Sequence, residues 1–306
     1  MSEAGRETTM KATGRWAWGL LAVGLVSCAG PPMGLEPTRS GLLVLLTDFG
    51  ERDHYVAAAK GAAYRVNPTV RIESVTHEIA PFDIWEGAVT LALAAKEFPP
   101  GTVFVAVVDP GVGTKRRAIA VRTEAGHFYV APDNGLLTFV VRRDGLADAR
   151  DISGFQPLGR RPSHTFQGRD LFVPLGALLA GGASLGRMGL RLKQAELVML
   201  SVVEPTLDAG LLKGSVLRVD RYGNVVTNLP AELVAQAGLK RGDKLEARVG
   251  EATVEAVFAS TYGDVPQGQA LALIDSIGNL ELAINLGDLA QRLKARPGLS
   301  IEVRKP

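Results

Sequence analysis

Val103-Phe104-Val105-Ala106-Val107-Val108-Asp109-Pro110-Gly111-Val112-Gly113 is the stretch on which the fold turns. Its first six residues are all apolar, four of them valine. With no polar face, such a segment reads as a strand covered on both sides, as in a parallel sheet flanked by helices. A carboxylate then leaves the strand directly into a Pro/Gly loop, and Thr114-Lys115-Arg116-Arg117 follows on the far side. Ligands of open α/β sheets bind beyond the carboxyl ends of the strands, so Asp109 stands where a site is expected. Asp-Pro-Gly is also an ordinary turn, and arginines are ordinary surface charges; the loop alone does not decide between the two readings.

The same texture extends in both directions. Residues 42–46 form another continuously apolar run, and 71–75 a second strand. Asp53 is placed to cap a helix running through Tyr64, which Asn67-Pro68 ends, and 84–97 forms a helix broken by Phe98-Pro99-Pro100-Gly101. Residues 118–122 and 128–131 pair around Glu124-Ala125-Gly126, and an apolar helix over 171–180 stops at Gly181-Gly182. After about Leu207 the pattern becomes short alternating runs, from 215–219 to 300–303, separated mostly by Gly and Asp. The expected architecture is an α/β N-terminal domain with a mainly parallel sheet over 42–205, then a small all-β, barrel-like domain over 206–306.

The N-terminus has the layout of a secretory signal, with Met1 or Met10 as its start. Lys11 and Arg15 precede an apolar run, 16–26, too short to span a bilayer. The run ends in Leu25-Val26-Ser27-Cys28, which resembles the lipobox of bacterial lipoproteins. That resemblance implies a signal peptide over 1–27, lipidation of Cys28, and a flexible Pro/Gly tether over 28–41. It also implies a place in the cell envelope, lipid-anchored on the periplasmic or surface face of a bacterial membrane. An ordinary signal peptide, or a buried helix with an incidental cysteine, are the alternatives. Cys28 is the chain's only cysteine, so no internal disulfide is expected.

Composition removes other classes. A net charge of +2 over 306 residues, with 6% aromatics, provides neither the basic footprint nor the stacking platforms of a nucleic-acid protein. No His/Asp spacing reads as a metal site, no Walker loop or G-x-S-x-G elbow is present, and no cofactor is called for. Asp48, in Thr47-Asp48-Phe49-Gly50, and Asp53 are placed to meet ribose hydroxyls, or to cap a helix. Phe82 and Phe166 suit a base or sulfonium sandwich, or a core. His77 is either a ligand or a locally bonded strand-end histidine, and Asp133-Asn134-Gly135 suits a tight turn.

These elements also occur together and in order. With Lys60-Gly61, Pro81-Phe82-Asp83-Ile84, Thr165-Phe166-Gln167-Gly168-Arg169-Asp170, Asp220-Arg221-Tyr222-Gly223-Asn224 and Ser276-Ile277-Gly278, the chain resembles the S-adenosyl-L-methionine hydroxide adenosyltransferase family, relatives of the fluorinase and chlorinase enzymes. The resemblance implies cleavage of S-adenosyl-L-methionine at C5′ by water or hydroxide, giving adenosine and L-methionine. It implies homotrimers whose sites lie between the N-terminal domain of one subunit and the barrel of the next. Asp48 would then hold the ribose, with Asp53 nearby, and Phe82 and Phe166 would line the pocket. Asp220, Tyr222 and Asn224 would meet the methionine end and the adenine, Ser276 the amino-acid carboxylate, and Asn285 the adenine. An Asp, Arg and His set handles water in the family's hydrolases. Asp109 and Arg116 match the first two, but Gln167 stands where the family has histidine, and glutamine does not titrate. His164 is the nearby substitute. The expected function is therefore a hydrolase, with a weakened or inactive envelope protein that binds adenosine or S-adenosylmethionine as the alternative, and a structural trimer as a third reading. A halogenase is disfavoured, since Asp109 occupies the place where fluorinase has lost the acid.

Overall fold

The computed structural model describes residues 39–306; Cys28, with the signal and most of the tether, lies outside the described residues. β1 (Leu42–Thr47), β2 (Arg71–Thr76), β3 (Val103–Val107) and β5 (Phe128–Pro132) run parallel in the order β2-β1-β3-β5. β4 (Ala118–Thr123), β6 (Leu146–Asp151) and the two-residue β7 (Leu190–Arg191) extend the sheet antiparallel beyond β5. The continuous hydrophobicity of β1 and β3 has a direct cause. Leu43, Leu45, Val103 and Val105 pack toward α1 (Tyr55–Val66) and α4 (Val173–Ala180). The residues between them, Val44, Leu46, Phe104 and Ala106, pack toward α2 (Ile84–Ala95) and α3 (Thr138–Asp144). Period-two alternation then places apolar side chains in both cores, and no position is left for a polar one.

Two local readings of the sequence are revised. Asp53 does not cap α1: the N-cap is His54, without a side-chain cap bond, and Asp53 is exposed in the preceding bend. The helix expected over 171–180 begins with a π-helical turn, Gly168–Phe172, that runs into α4. α3 and β6 were not signalled. Thr138-Phe139-Val140-Val141-Arg142-Arg143-Asp144 is under two turns long, and Leu146–Asp151 is half polar, so neither develops a readable period.

The second half closes on itself. β9 (Leu211–Val219), β10 (Val225–Pro230), β11 (Lys244–Val249), β12 (Ala252–Phe258), β13 (Ala270–Ile274), β14 (Asn279–Ile284) and β15 (Ser300–Arg304) form a seven-stranded barrel closed by the β10–β9 pairing. β8 (Thr206–Asp208) adds to the outside of β9. Val225, Leu245, Ala272, Leu282, Ile301 and Val303 fill the interior, and closure leaves no unpaired edge among these strands. The barrel meets the α/β layer where Trp85 of α2 donates from Nε1 to the Leu217 carbonyl at 2.8 Å. Asn228 donates to the Val203 carbonyl at 2.7 Å. Among the described residues no helix is long and apolar enough to cross a membrane.

α4 approaches the sheet closely because Gly176 faces it: a Cβ there would lie 2.4 Å from Val105 Cγ2 and 2.9 Å from Leu43 Cδ1. Gly176→Ala is therefore expected to destabilise the fold by about 1–3 kcal/mol through overpacking. Thermal unfolding checks it; a gain in stability, as helix propensity alone would give, would refute the close packing.

Candidate active site

β3 delivers Asp109 beyond its carboxyl end, and the Gly-rich loop returns Arg116 onto it. Arg116 Nε donates to both carboxylate oxygens, at 2.9 and 3.0 Å, and Nη2 also bonds Oδ2. The same Nη2 donates to Gln167 Oε1 at 2.7 Å. Side chains of Asp109 and Arg116 are only 6% and 11% exposed, and the guanidinium lies 5.3 Å from the Phe172 ring centroid. Arginine offers donors only, so the glutamine oxygen must face it and the two Nε2 hydrogens must face away. The glycine loop serves protein contact here: a Cβ on Gly113 would lie 2.7 Å from the His164 carbonyl oxygen, so this loop and the Gln167 loop can touch only through glycine.

Gln167 is set by the residues that follow it. Asp170, 1% exposed, accepts from Arg169 at 2.8 Å through each oxygen, from Arg160 at 3.1 Å and from the Ser163 amide at 3.0 Å. The hydrogen bonds from Arg169 hold its carboxyl below the usual carboxylate range against the opposing effect of burial. The Arg-Asp end of the motif is thus a scaffold that folds the loop back and presents Phe166 and Gln167 at the start of a π turn. Such turns recur at functional positions.

A cavity of about 390 Å³ opens in front of these groups, lined among others by Asp48, Tyr55, Phe82, Asp109, Phe166 and Gln167. Asp48 Oδ2 accepts the Phe82 amide at 2.9 Å; burial pushes its carboxyl up, with that bond opposing. Phe166 meets Phe49 and Tyr55 edge-to-face, at 5.9 and 5.2 Å between centroids. Tyr55 carried no signal in the sequence, because its position just inside α1 places it at the cavity only after the helix packs. Asp53 and His164 are exposed and outside the lining, so His164 does not take the place of a histidine at 167. His77 is a buried local anchor, its Nδ1 on the Thr47 hydroxyl at 2.8 Å and Nε2 on that of Ser74 at 2.9 Å; burial pushes it down. Asp133 pairs with Arg117, and Asn134 donates to the Val108 carbonyl at 2.9 Å, so that turn fastens β5 beside β3.

A second group of sequence-selected residues gathers on the barrel. Asp220, Tyr222, Asn224 and Asn285 line a cavity of about 660 Å³ together with Tyr262. The Asp220 carboxylate is occupied by its own turn, accepting the amides of Tyr222 and Asn224 at 2.9 Å each and Asn224 Nδ2 at 3.0 Å. Asn285 donates from Nδ2 to the Val265 carbonyl at 2.7 Å. Ser276 lines a smaller neighbouring cavity of about 350 Å³ that shares Asp220 and Tyr262. None of the lining residues of the α/β cavity lines either barrel cavity.

Both halves match one family. The model of the SAM hydroxide adenosyltransferase N-terminal domain matches residues 43–189, and that of the C-terminal domain matches 214–302. The chain belongs to this family. It is 40% identical over 260 residues to an (R)-S-adenosyl-L-methionine hydrolase of Salinispora arenicola, covering 84% of this chain and 95% of that protein. It is 31% identical over 292 residues to a fluorinase of Nocardia brasiliensis, covering 87% and 97%. A crystal structure of a conserved protein from Thermotoga maritima superposes with a TM-score of 0.81 at 40% identity, covering 86% of this chain and 100% of that one. Against this family background, the Asp109–Arg116–Gln167 chain of bonds is the local feature to explain.

Asp170→Asn is expected to cost about 1–3 kcal/mol at neutral pH. A depressed carboxyl stabilises above its unfolded pKa, near 4, and loses that contribution as the pH falls through its folded value. The difference between the two proteins should therefore shrink on acidification; urea melts at several pH values measure it, and a pH-independent difference would exclude the ion cluster as its source.

Proposed function

We propose that this protein hydrolyses S-adenosyl-L-methionine, water displacing L-methionine at C5′ to give adenosine. The observation that carries the reading is the buried Asp109–Arg116–Gln167 chain on the wall of the cavity of about 390 Å³. It is supported by the family and by relatives named as hydrolases. A sulfonium leaves readily, so the residues must chiefly place and desolvate the attacking water. Water oxygen bonds to C5′, the C5′–S electron pair leaves on sulfur as a neutral thioether, and one proton is released. Asp109 is the acceptor that takes up this proton, while Asp48 holds the ribose.

Gln167 fits this role without titrating. A neutral histidine at 167 would accept from Arg116 through one nitrogen and donate through the other; Gln167 accepts at Oε1 and donates from Nε2. The glutamine thus reproduces the hydrogen-bonding polarity of the neutral imidazole, which argues against an inactive binding protein. Asp109→Asn is expected to lower adenosine release by about 10²-fold or more; undiminished turnover would remove Asp109 from the mechanism. Gln167→His should stay active at neutral pH and gain an acidic limb below about pH 6.5, because an imidazolium turns a second donor on Arg116. A pH profile identical to that of the natural protein would show that turnover does not depend on the contact between Arg116 and residue 167.

The active assembly we infer is a homotrimer, with the α/β cavity of one subunit facing the barrel cavity of the next. The separate linings support it, as do two rim residues: Phe82 (φ 70°) and Leu286 (φ 55°) are 68% and 81% exposed on left-handed backbone. Strained, exposed apolar side chains at both mouths suit contact with another subunit. The proposed location is the cell envelope, with the chain held on the membrane by a lipid on Cys28. Cys28→Ser is expected to release the protein into the soluble fraction; retention in washed membranes would count against acylation.

A further inference from the structure

His77 is 3% exposed and lies outside the lining of the α/β cavity, yet the strand end that carries Asp48 is fastened to it. The Thr47 hydroxyl meets His77 Nδ1 at 2.8 Å and also accepts the Phe49 amide at 3.2 Å, which closes the backbone around Asp48. The Gly50 amide donates to the His77 carbonyl at 2.7 Å. On the other side of the ring, Nε2 meets the Ser74 hydroxyl of β2 at 2.9 Å. Residues 47, 49 and 50 are thus tied to one histidine, directly or through one hydroxyl, and Asp48 is the residue they enclose.

The hydrogens of this network follow from its burial. Thr47 is 2% exposed, and its hydroxyl hydrogen finds its acceptor at His77 Nδ1. The ring is therefore neutral, accepting at Nδ1 and donating from Nε2 to Ser74, which is exposed and free to turn its own hydrogen outward. Burial pushes the titration of His77 down; Lys60 of α1 acts the same way, while Glu51 and Glu78, exposed on the adjoining loops, oppose. An imidazolium would instead turn an N–H on Thr47 and leave the hydroxyl hydrogen buried without an acceptor, a costly state.

We propose that His77 is a positioning residue: it sets the Asp48 carboxylate to grip the adjacent hydroxyls of a ribose, so that recognition of an intact ribose depends on a ring that does not touch the ligand. This rests on the reading of Asp48 as the group that holds the ribose. A binding group must be kept within about 0.5 Å of its productive geometry by the residues behind it. The Phe82 amide fixes one Asp48 oxygen, and His77 fixes the backbone from which that carboxylate extends.

The test measures, by calorimetry, the affinities of adenosine and 2′,3′-dideoxyadenosine for the purified natural protein and its variants, together with KM and kcat for S-adenosyl-L-methionine. The natural protein should prefer adenosine by about tenfold or more, and Asp48→Asn should lose most of that ratio. His77→Leu should lower the ratio by about threefold or more and raise KM by a similar factor, with kcat within about twofold. His77→Gln, which again accepts and donates, should keep the ratio within about twofold of the natural value. In the double variant His77→Leu with Asp48→Asn the two losses should not add, since both act through one carboxylate. A folded His77→Leu with an unchanged ratio overturns the proposal even if its melting temperature falls, because a merely structural histidine moves stability alone. Should that variant fail to fold, Thr47→Val, which removes the hydroxyl between the ring and the Phe49 amide, decides in the same way. A full ratio in Asp48→Asn would sink the reading of Asp48 and leave His77 nothing to position. Binding with the expected ratios but without adenosine release would sink the hydrolase reading alone.

Discussion

The pairing of Asp109 with Arg116 closes the loop that follows β3 and ties it to Gln167, 51 residues further along the chain. A carboxylate and a guanidinium withdrawn from water gain little net stability, because desolvation offsets most of their attraction. Here the pair is almost fully covered, it is gripped through both carboxylate oxygens, and the Nη2 that bonds Asp109 also holds Gln167. The arrangement fixes the end of β3, the fold of the glycine loop and the loop before α4 in one geometry. Its cost is reasonable for a group that must stay ordered beside a reacting centre.

Much of the remaining α/β domain can be understood as support for that geometry. β1 and β3 pair in register up to Thr47 and Val107, so the carboxylates of Asp48 and Asp109 emerge at the same end of the sheet. The Asn134 bond to Val108 fixes β5 alongside. Asp170, with its two arginines, folds the opposite wall. Gly176 lets α4 lie close enough to the sheet for the π turn to project toward the cavity. His77, which the sequence offered as a ligand, is a fastening bonded to neighbouring protein atoms, and so are Asp133 and Asn134 of the turn after β5.

The barrel has a different logic. Its interior is apolar, and the polar chemistry sits outside, where turn residues shape the Asp220 loop and Arg218 and Glu281 flank Val226 across the strands. One cavity is more apolar and roomy, the other narrower and ringed by ionisable groups.

Continuous apolar runs identified the buried strands, and Gly- and Asp-punctuated alternation identified the barrel strands, because both patterns are enforced by nearest neighbours in the chain. Motifs likewise led to Asp48, Asp109, Arg116, Gln167 and Asp220, whose residue types and spacing carry meaning within a short window. Tyr55, Tyr262, Glu281 and Arg218 had no such signal. What they contact depends on which strand they face across a sheet, which side of the barrel their parity selects, and whether a partner lies within hydrogen-bond reach. Asp53 shows the reverse: its motif position was suggestive, but the bend before α1 turned it into solvent. Local sequence determined the elements and the acid that ends β3; only tertiary packing decided which polar groups are satisfied by the protein and which are left for a ligand, since that depends on contacts between residues distant in the chain.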